Sequence, residues 1–405
     1  MNFAGRCGQW PQKVLSVLPF LLFFPVGVVY LGVVVVLLSL VLAGDYRKRW
    51  QTMRENAMFW PIVGMSLLTC VAALVHSHSA PAFLSGFAHY HIYLFLLLFV
   101  SIGKGDWQDM AIKAFIAGAL CAATFFYLNG LEFLPHIGLF KSYLSYAGNK
   151  SILLGILLAL AAGWLLCELP PLSSRKVFFV RLGAFIYIAA PVLFLTRTRT
   201  AIIILMLVCL LASLRFLRLN WRGAIALMTG LIVVLVVAWG VSGDFNERMM
   251  SAFDDVVAYA QGQKPSHQGI RLEIYALTMQ IIAEKPWTGH GIATWEPLYT
   301  ALAVANSTYS FATPHNDYLL YMAEMGIIGL AALLWIWFKQ LAVGWRMPDI
   351  NGVRLLMLGM ALMVGGMFNA ILRDAVFGMP FMILLAIPLA GVQNESKSAV
   401  VSRVS

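Results

Sequence analysis

Residues 26–43 read VGVVYLGVVVVLLSLVLA, an apolar run without a single charged side chain. As a helix rising 1.5 Å per residue, such a run crosses most of a bilayer core that is about 30 Å thick. Similar runs recur along the 405 residues, of which 61% are hydrophobic and only 11% charged, whereas a soluble domain carries about 25% charged residues. Because lipid cannot satisfy backbone polar groups, the composition predicts an all-α polytopic membrane protein.

The apolar runs predict twelve transmembrane helices, with one large loop between the ninth and the tenth. The predicted spans are 13–25, 26–43, 57–75, 86–103, 108–128, 151–167, 177–195, 200–214, 223–241, 316–338, 354–372 and 376–392. Pro19, Pro25 and Gly27 leave open whether the first two spans are one kinked helix. We expect three segments, which are helices one to nine in 1–241, the loop in 242–314, and helices ten to twelve with a tail in 315–405.

The Lys and Arg residues orient these helices. Loops 46–54 and 215–222 are basic, whereas loop 76–83 contains no Lys or Arg. Because cytoplasmic loops carry the excess of Lys and Arg, both termini are predicted to be cytoplasmic and the large loop to lie outside. The net charge of +10 is therefore interpreted as a topology signal. We expect contact with membrane lipids and no nucleic-acid partner.

The large loop is predicted to contain two amphipathic helices on or near the membrane surface. Segments 245–261 and 271–284 both show the apolar spacing of such helices. Trp287, Trp295 and Tyr299 follow them and are able to anchor the loop. Because long loops in compact proteins are usually either functional or disordered, we interpret this one as functional.

Two arginines depart from the orientation rule. Arg197 and Arg199 lie in TRTRT (196–200), a very short outer turn where positive charge is disfavoured. One interpretation is that they extend to the lipid headgroups. The other is an anion site, because arginine binds phosphate bidentately and stays charged.

A third arginine, Arg271, lies at the start of the second loop helix. A cation near a helix N-terminus is mildly unfavourable, so we expect a compensating partner there. That partner is either an anionic ligand or one of the local acids, Glu273 and Glu284.

His315 is predicted to open the tenth span. At 100° per residue, Gly326 and Gly329 fall close to the same helical face, which predicts a stripe of small residues that admits another helix. A histidine suits proton transfer near neutral pH, so His315 is a candidate general base. The alternative is a structural histidine at a helix start.

Other polar residues have weaker indications. Asn149 and Lys150 precede the sixth span, where Asn149 equally suits a plain helix cap. Arg373 and Asp374 share the last outer turn and can simply pair. Glu324 lies within the tenth span and requires a polar partner there.

No metal site and no cofactor are expected. His76, His78, His89 and His91 fall at one outer end, but histidines two positions apart do not share a helix face and no cysteine or carboxylate joins them. The sequence contains no Walker loop, dinucleotide-binding turn or H-E-x-x-H helix.

Three motifs resemble those of the O-antigen ligase and O-antigen polymerase superfamily. The spacing H-N-x9-G-x-x-G, from His315 and Asn316 to Gly326 and Gly329, resembles its signature. TRTRTA (196–201) is similar to its Ser/Thr-Arg-Thr/Gly motif, which assigns that arginine to Arg199.

The third motif is GIRLEIYALTMQIIAEKPWTGHGIATW (269–295), which resembles the family's R…W…P-x-x-G-x-G stretch. It carries Arg271, Pro286, Gly289 and Gly291, with His290 in a slot that is usually apolar and therefore a second candidate base. The twelve spans and the large loop before the histidine also match the family's architecture.

The resemblance implies a GT-C-type fold in the bacterial inner membrane, with its active site facing the periplasm. It implies an O-antigen ligase, a metal-independent glycosyltransferase that transfers a glycan from undecaprenyl pyrophosphate to lipid A-core oligosaccharide, with inversion if transfer is one direct displacement. Arg199 and Arg271 would bind the pyrophosphate and His315 would deprotonate the attacking sugar hydroxyl. The other predicted substrate-binding residues are Arg197, Asn149, Lys150 and Asn316.

Three alternatives stay open. Two belong to the same class, the O-antigen polymerase and the protein O-oligosaccharyltransferase. The third is a polyprenyl-glycan transporter, although transporters place substrate charges near the bilayer midplane and often show internal repeats. That alternative predicts an essential Glu324 and a dispensable His315.

Overall fold

The computed structural model describes residues 9–75, 80–144, 149–169, 174–196, 198–216, 270–373 and 375–394, with only isolated positions between 222 and 261. Within these ranges the regular elements are helices, and Asn56 and Gln393 form an isolated bridge. The α-helices, in chain order, are α1 (Trp10–Leu21), α2 (Val26–Ala43), α3 (Tyr46–Glu55), α4 (Phe59–Val75), α5 (Ala80–Tyr90), α6 (Tyr93–Val100), α7 (Trp107–Gly130), α8 (Lys141–Leu144), α9 (Asn149–Cys167), α10 (Arg175–Phe194), α11 (Arg199–Leu211), α12 (Ile270–Glu284), α13 (Trp295–Ala305), α14 (Asp317–Arg346), α15 (Ile350–Phe368) and α16 (Ala375–Leu389).

The described helices confirm a polytopic membrane protein of the all-α class. Among them, six are long and apolar enough to cross a membrane: α2, α7, α9 from Lys150 onward, α10, α14 and α15. Three shorter apolar helices overlap α4, α11 and α16. A helix or a pair of helices occupies every predicted span except 223–241, which lies largely outside the described residues. The count of twelve spans stays a prediction.

The first two predicted spans are separate helices. α1 ends at Leu21 and Pro25 adopts the extended conformation, with φ −51° and ψ 146°, before α2 begins. The two helices pack side by side, because Gly32 of α2 faces the side chain of Leu18 in α1. The alternative of one kinked helix is therefore wrong.

The helix α9 lies at the centre of the bundle. It packs against α7, α10, α11 and α15, and its side chains from Leu153 to Cys167 are buried almost throughout. Small residues allow this close packing, since a Cβ on Gly163 would lie only 2.8 Å from the side chain of Val208 in α11. α14 also packs against α15, and it contacts α4 and α12 as well.

A second hydrophobic core joins α12, α13 and the first part of α14. It contains Ile270, Ile274, Leu277, Ile281, Ile282, Trp295, Tyr299, Ala303, Leu320 and Ala323. Its members on α12 recur every three to four residues, so a helix with one buried face occupies the predicted segment 271–284, and its location at the membrane surface stays a prediction. Of the predicted anchors, Trp295 and Tyr299 are buried and their rings stack 4.6 Å apart, whereas the Trp287 side chain is exposed. The predicted helix over 245–261 lies almost entirely outside the described residues.

The histidine-bearing span differs from its prediction at two points. α14 begins at Asp317, so His315 precedes the helix and its N-cap residue Asn316. The helix is also broken at Gly326, where φ is 65° and ψ is −163°. The prediction that His315 opens the helix above a glycine stripe is therefore wrong, because helical periodicity does not extend across this break.

Candidate functional site

His315 lies in a strained backbone conformation at the entrance to α14. Its φ is 51°, in the left-handed region that residues other than glycine rarely adopt and that costs on the order of 1 kcal/mol or more. The following Asn316 caps the helix, since its Oδ1 accepts a hydrogen bond from the Leu319 backbone N–H at 3.0 Å. The half-buried His315 ring meets the Phe311 ring edge-on at 5.8 Å. The cap thus holds the backbone that follows His315, and Phe311 lies beside the imidazole.

Tyr275 of α12 holds this turn from the other side. Its hydroxyl lies 3.3 Å from the His315 carbonyl oxygen and 3.0 Å from the Met367 carbonyl oxygen at the end of α15. Asn316 Nδ2 donates to the same Met367 oxygen at 3.0 Å. Burial raises the pKa of Tyr275, and the nearby Arg271 charge offsets this only partly, so the phenol stays protonated as a donor at neutral pH.

Arg271 lies one turn before Tyr275 on α12, and residues four positions apart share a helix face. The two local acids have other neighbours: Glu273 accepts a hydrogen bond from Thr308 Oγ1 at 2.8 Å, and Glu284 lies 4.0 Å from His290. Among the residues that the structure describes, Arg271 forms no ion pair. The alternative of local pairing is therefore not observed, and a half-buried guanidinium lies beside the tyrosine that contacts His315.

Arg199 begins α11 at the same end of the bundle. Thr196, Thr198 and Thr200 are buried, whereas Arg199 is half-exposed. Gly155 of α9 faces Thr196, and the next residue, Ile156, lies near Gly365 on the turn of α15 that precedes Met367. α9 therefore connects the Arg199 turn with the segment that contacts Asn316 and Tyr275. Arg197 lies outside the described residues.

The remaining predicted residues lie at the N-terminus of α9. Asn149 begins the helix, and nothing is described of its side chain. The Lys150 side chain is buried, and its ammonium donates to the Leu22 carbonyl oxygen at 2.5 Å. Leu22 lies at the end of α1, so Lys150 joins α9 to the turn between α1 and α2. Its predicted contact with substrate stays a prediction.

The two glycine motifs of the sequence contact one another. We call the loop 286–292 and the break of α14 the clasp. Interrupting a helix frees carbonyl and N–H groups that need new partners, and the loop supplies them. Three backbone hydrogen bonds join the segments, from His290 N to Ala323 O (3.0 Å), from Gly291 N to Glu324 O (2.9 Å) and from Ile327 N to Pro286 O (2.9 Å).

Glycine is required on both sides of the clasp. Gly289 and Gly326 have φ values of 70° and 65°. A Cβ on Gly326 would lie 2.6 Å from the Thr288 backbone nitrogen, and one on Gly289 would lie 2.5 Å from the Met325 backbone nitrogen. Gly326 therefore admits a loop backbone and not a second helix, which corrects the predicted packing stripe.

Glu324 completes the clasp from within α14. Its buried carboxylate accepts hydrogen bonds from Tyr90 Oη at 2.7 Å, from Ala293 N at 3.0 Å and from Trp295 N at 3.4 Å. The carboxylate thus holds the start of α13 and the end of α5 on the broken helix. These donors are the polar partners that the sequence required for Glu324.

The other histidines and Arg373 have identifiable neighbours. His290, the second candidate base, has a side chain that is only 8% exposed, with its Nε2 at 2.8 Å from the Ile281 carbonyl oxygen of α12. Arg373 Nη1 lies 2.9 Å from His89 Nδ1, while Asp374 lies outside the described residues. Nδ1 of His91 lies 2.8 Å from the Phe87 carbonyl oxygen. Within the described ranges no group of three or more metal-ligating side chains occurs.

Two residues of the site were missed by sequence reasoning. Tyr275 follows Arg271 by four positions, a spacing that could have placed it on the same face. Tyr90 carries no such signal, since its partner Glu324 lies 234 positions away along the chain.

A family comparison agrees with the motifs. Residues 182–334 match the family model described as O-Antigen ligase. This range includes the Arg199 turn, α12, the clasp and His315. A search of curated proteins finds no match. Over this matched segment, and in its motifs, the chain is similar to the O-antigen ligase family.

Proposed function

We propose that this protein is an O-antigen ligase that transfers a glycan from undecaprenyl pyrophosphate to lipid A-core oligosaccharide. The proposal includes a GT-C-type bundle of twelve spans in the bacterial inner membrane, with 242–314 and the active site facing the periplasm and both termini in the cytoplasm. The match of residues 182–334 to the O-antigen ligase family model supports the general class, a glycosyltransferase acting on polyprenyl-linked glycans.

One observation carries the assignment of the site. His315 lies in a fixed, strained turn whose carbonyl group contacts Tyr275, and Arg271 lies one helical turn from that tyrosine. A candidate base and a guanidinium without an ion-pair partner among the described residues are therefore held by the same helix. This is the pairing that transfer from a pyrophosphate donor requires.

The proposed reaction is a displacement at the anomeric carbon of the donor sugar. The acceptor hydroxyl oxygen forms the new glycosidic bond while the bond from the anomeric carbon to the phosphate oxygen breaks. The hydroxyl proton passes to the His315 imidazole, and undecaprenyl pyrophosphate leaves with the electron pair of the broken bond. A single displacement of this kind inverts the anomeric configuration.

The arginines would stabilise the leaving group. Negative charge accumulates on the pyrophosphate as the bond breaks, and guanidinium donors fixed beforehand stabilise that charge most effectively where water is excluded. We assign this role to Arg271 and Arg199, with Arg197, Asn149, Lys150 and Asn316 as further substrate-binding candidates. No metal or cofactor takes part in this proposal.

A purified assay tests the function. The protein in detergent or nanodiscs is given a polyprenyl-pyrophosphate glycan with either lipid A-core or a second glycan unit as acceptor. A product on lipid A-core supports the ligase, whereas elongation of the glycan alone supports the polymerase. His315→Ala and Arg271→Ala should each abolish transfer at normal membrane levels, and full transfer by either variant would overturn the assigned site.

A further inference from the structure

The end of the bundle opposite His315 contains a polar pocket that the proposed reaction does not use. α4 runs antiparallel to α14, since Thr69 near its end lies by Met325 whereas Gly64 nearer its start faces Trp335. The pocket opens beside the start of α4 and has a volume of about 430 Å³. Its lining residues are Trp50, Gln51, Arg54, Glu55, Trp60, Gln393 and Asn394.

The walls of this pocket are built, and do not result from loose surface side chains. Trp50 and Trp60 both meet the buried Phe59 ring edge-on, at 5.9 and 5.2 Å, although each indole is itself more than half exposed. The far wall is the segment after α16, where the Asn394 N–H donates to the Glu55 carbonyl oxygen at 2.8 Å. Exposed tryptophans of this kind are enriched where a membrane meets water.

The pocket offers both a cation and acceptors. Arg54 is exposed, and among the described residues it has no hydrogen-bond or ion-pair partner. Arg49, on the same helix, is instead held by the Gly44 carbonyl oxygen at 3.2 Å. Glu55 also lines the pocket, and its carboxylate accepts from Gln51 at 3.1 Å; an ionised carboxylate is a hydrogen-bond acceptor with about four lone-pair sites.

An apolar stripe leads away from the pocket along α4. Trp60, Leu67, Val71 and Leu74 are all exposed, and at 100° per residue they fall within about 60° of one another. A polar pocket at the end of an exposed apolar stripe matches an amphiphile with one polar end. A free phosphate would leave the stripe uncovered.

We propose that this pocket binds the headgroup of a membrane phospholipid, whose acyl chain lies along the α4 stripe. Arg54 contacts the phosphodiester, and Glu55 with the side-chain oxygens of Gln393 and Asn394 accepts from a donor on the headgroup. The ligand is therefore a phospholipid with an ammonium or hydroxyl donor, such as phosphatidylethanolamine or phosphatidylglycerol. Phosphatidylcholine, which has no such donor, should bind poorly.

The test uses the full-length protein, delipidated in detergent and titrated with these three lipids carrying identical acyl chains. Bound lipid is counted by native mass spectrometry. Phosphatidylethanolamine or phosphatidylglycerol should bind about tenfold more tightly than phosphatidylcholine, because phosphatidylcholine cannot donate a hydrogen bond to the acceptors of the pocket. Equal binding of all three lipids would overturn the proposal.

Variants locate the site. Arg54→Gln should weaken binding about tenfold, whereas Arg47→Gln, an exposed arginine on α3 that does not line the pocket, should leave it unchanged. Glu55→Gln should weaken the binding of phosphatidylethanolamine more than the binding of phosphatidylglycerol. An equal loss of lipid affinity in Arg54→Gln and Arg47→Gln would show general charge attraction and refute a specific pocket.

Soluble headgroups separate a lipid site from a phosphate site. Glycerophosphoethanolamine and glycerophosphoglycerol should not displace the bound lipid at equal concentration, and Trp60→Ala should weaken lipid binding. Displacement by either soluble compound would refute the role of the stripe. These outcomes do not depend on glycan transfer, so they stand or fall separately from the proposed function.

Discussion

The backbone of Gly326 lies against the backbone of Trp287, so close that a Cβ on Gly326 would overlap the Trp287 carbonyl oxygen. Around this contact, the loop that follows α12 donates to the carbonyl groups freed by the break in α14. α12 carries Arg271 and Tyr275, and α14 follows His315. The contact therefore fixes α12, which carries the candidate phosphate-binding residue Arg271, relative to α14, which begins just after the candidate base His315.

Gly326→Ala and Gly289→Ala should each destabilise the protein by more than about 2 kcal/mol, because a Cβ there meets backbone atoms and the positive φ disfavours alanine. Thermal unfolding in detergent measures this. Gly183→Ala in α10 is the matched control, since its Cβ would meet nothing within 4 Å. An unfolding midpoint of Gly326→Ala equal to that of the control would contradict the clasp.

Glu324→Gln should destabilise the clasp by roughly 1–3 kcal/mol, because its amide nitrogen would face hydrogen-bond donors. Tyr90→Phe should have a smaller effect, since it removes only one donor. Limited proteolysis within 286–294 and thermal unfolding measure both. A transporter in which Glu324 carries substrate would instead show normal stability with lost activity.

The helices could be predicted from sequence because their signals are local. Apolar runs predict the long apolar helices but not α3, α8 or α13, and the spacing of Ile274, Leu277 and Ile281 indicates the buried face of α12. The Asn316 cap is also local, since its acceptor serves an N–H three residues later. These features depend on neighbouring positions and on the lipid environment of each helix.

The geometry of the site depends on contacts between distant positions. The break at Gly326 is stabilised by hydrogen bonds from residues more than 30 positions earlier in the chain, so periodicity within α14 wrongly predicts a continuous glycine stripe. Lys150 is predicted from sequence to bind substrate, whereas in the structure its ammonium donates to the Leu22 carbonyl oxygen. No local pattern identifies the acceptor of a buried ammonium.

Tyr275→Phe should lower glycan transfer about tenfold at normal membrane levels, because the His315 and Met367 carbonyl oxygens lose a shared donor and the strained turn relaxes. The control is Tyr318→Phe, which removes a comparable bond of 2.9 Å to the Met363 carbonyl oxygen of α15. Both variants should lose similar stability. Equal transfer rates in the two variants would remove Tyr275 from the site.

Arg271→Lys should raise the KM for the lipid-linked donor and lower kcat, whereas the KM for the acceptor should change little. A lysine keeps the charge but loses the planar fork that binds two phosphate oxygens at once, so we expect a loss of about tenfold or more in kcat/KM for the donor. Arg346→Lys is the control, because Arg346 ends α14 at the opposite end of the bundle from His315. Donor titrations at saturating acceptor, followed by acceptor titrations at saturating donor, separate the two constants. A rise confined to the acceptor KM would place Arg271 beside the acceptor and leave the pyrophosphate to Arg199 at the start of α11.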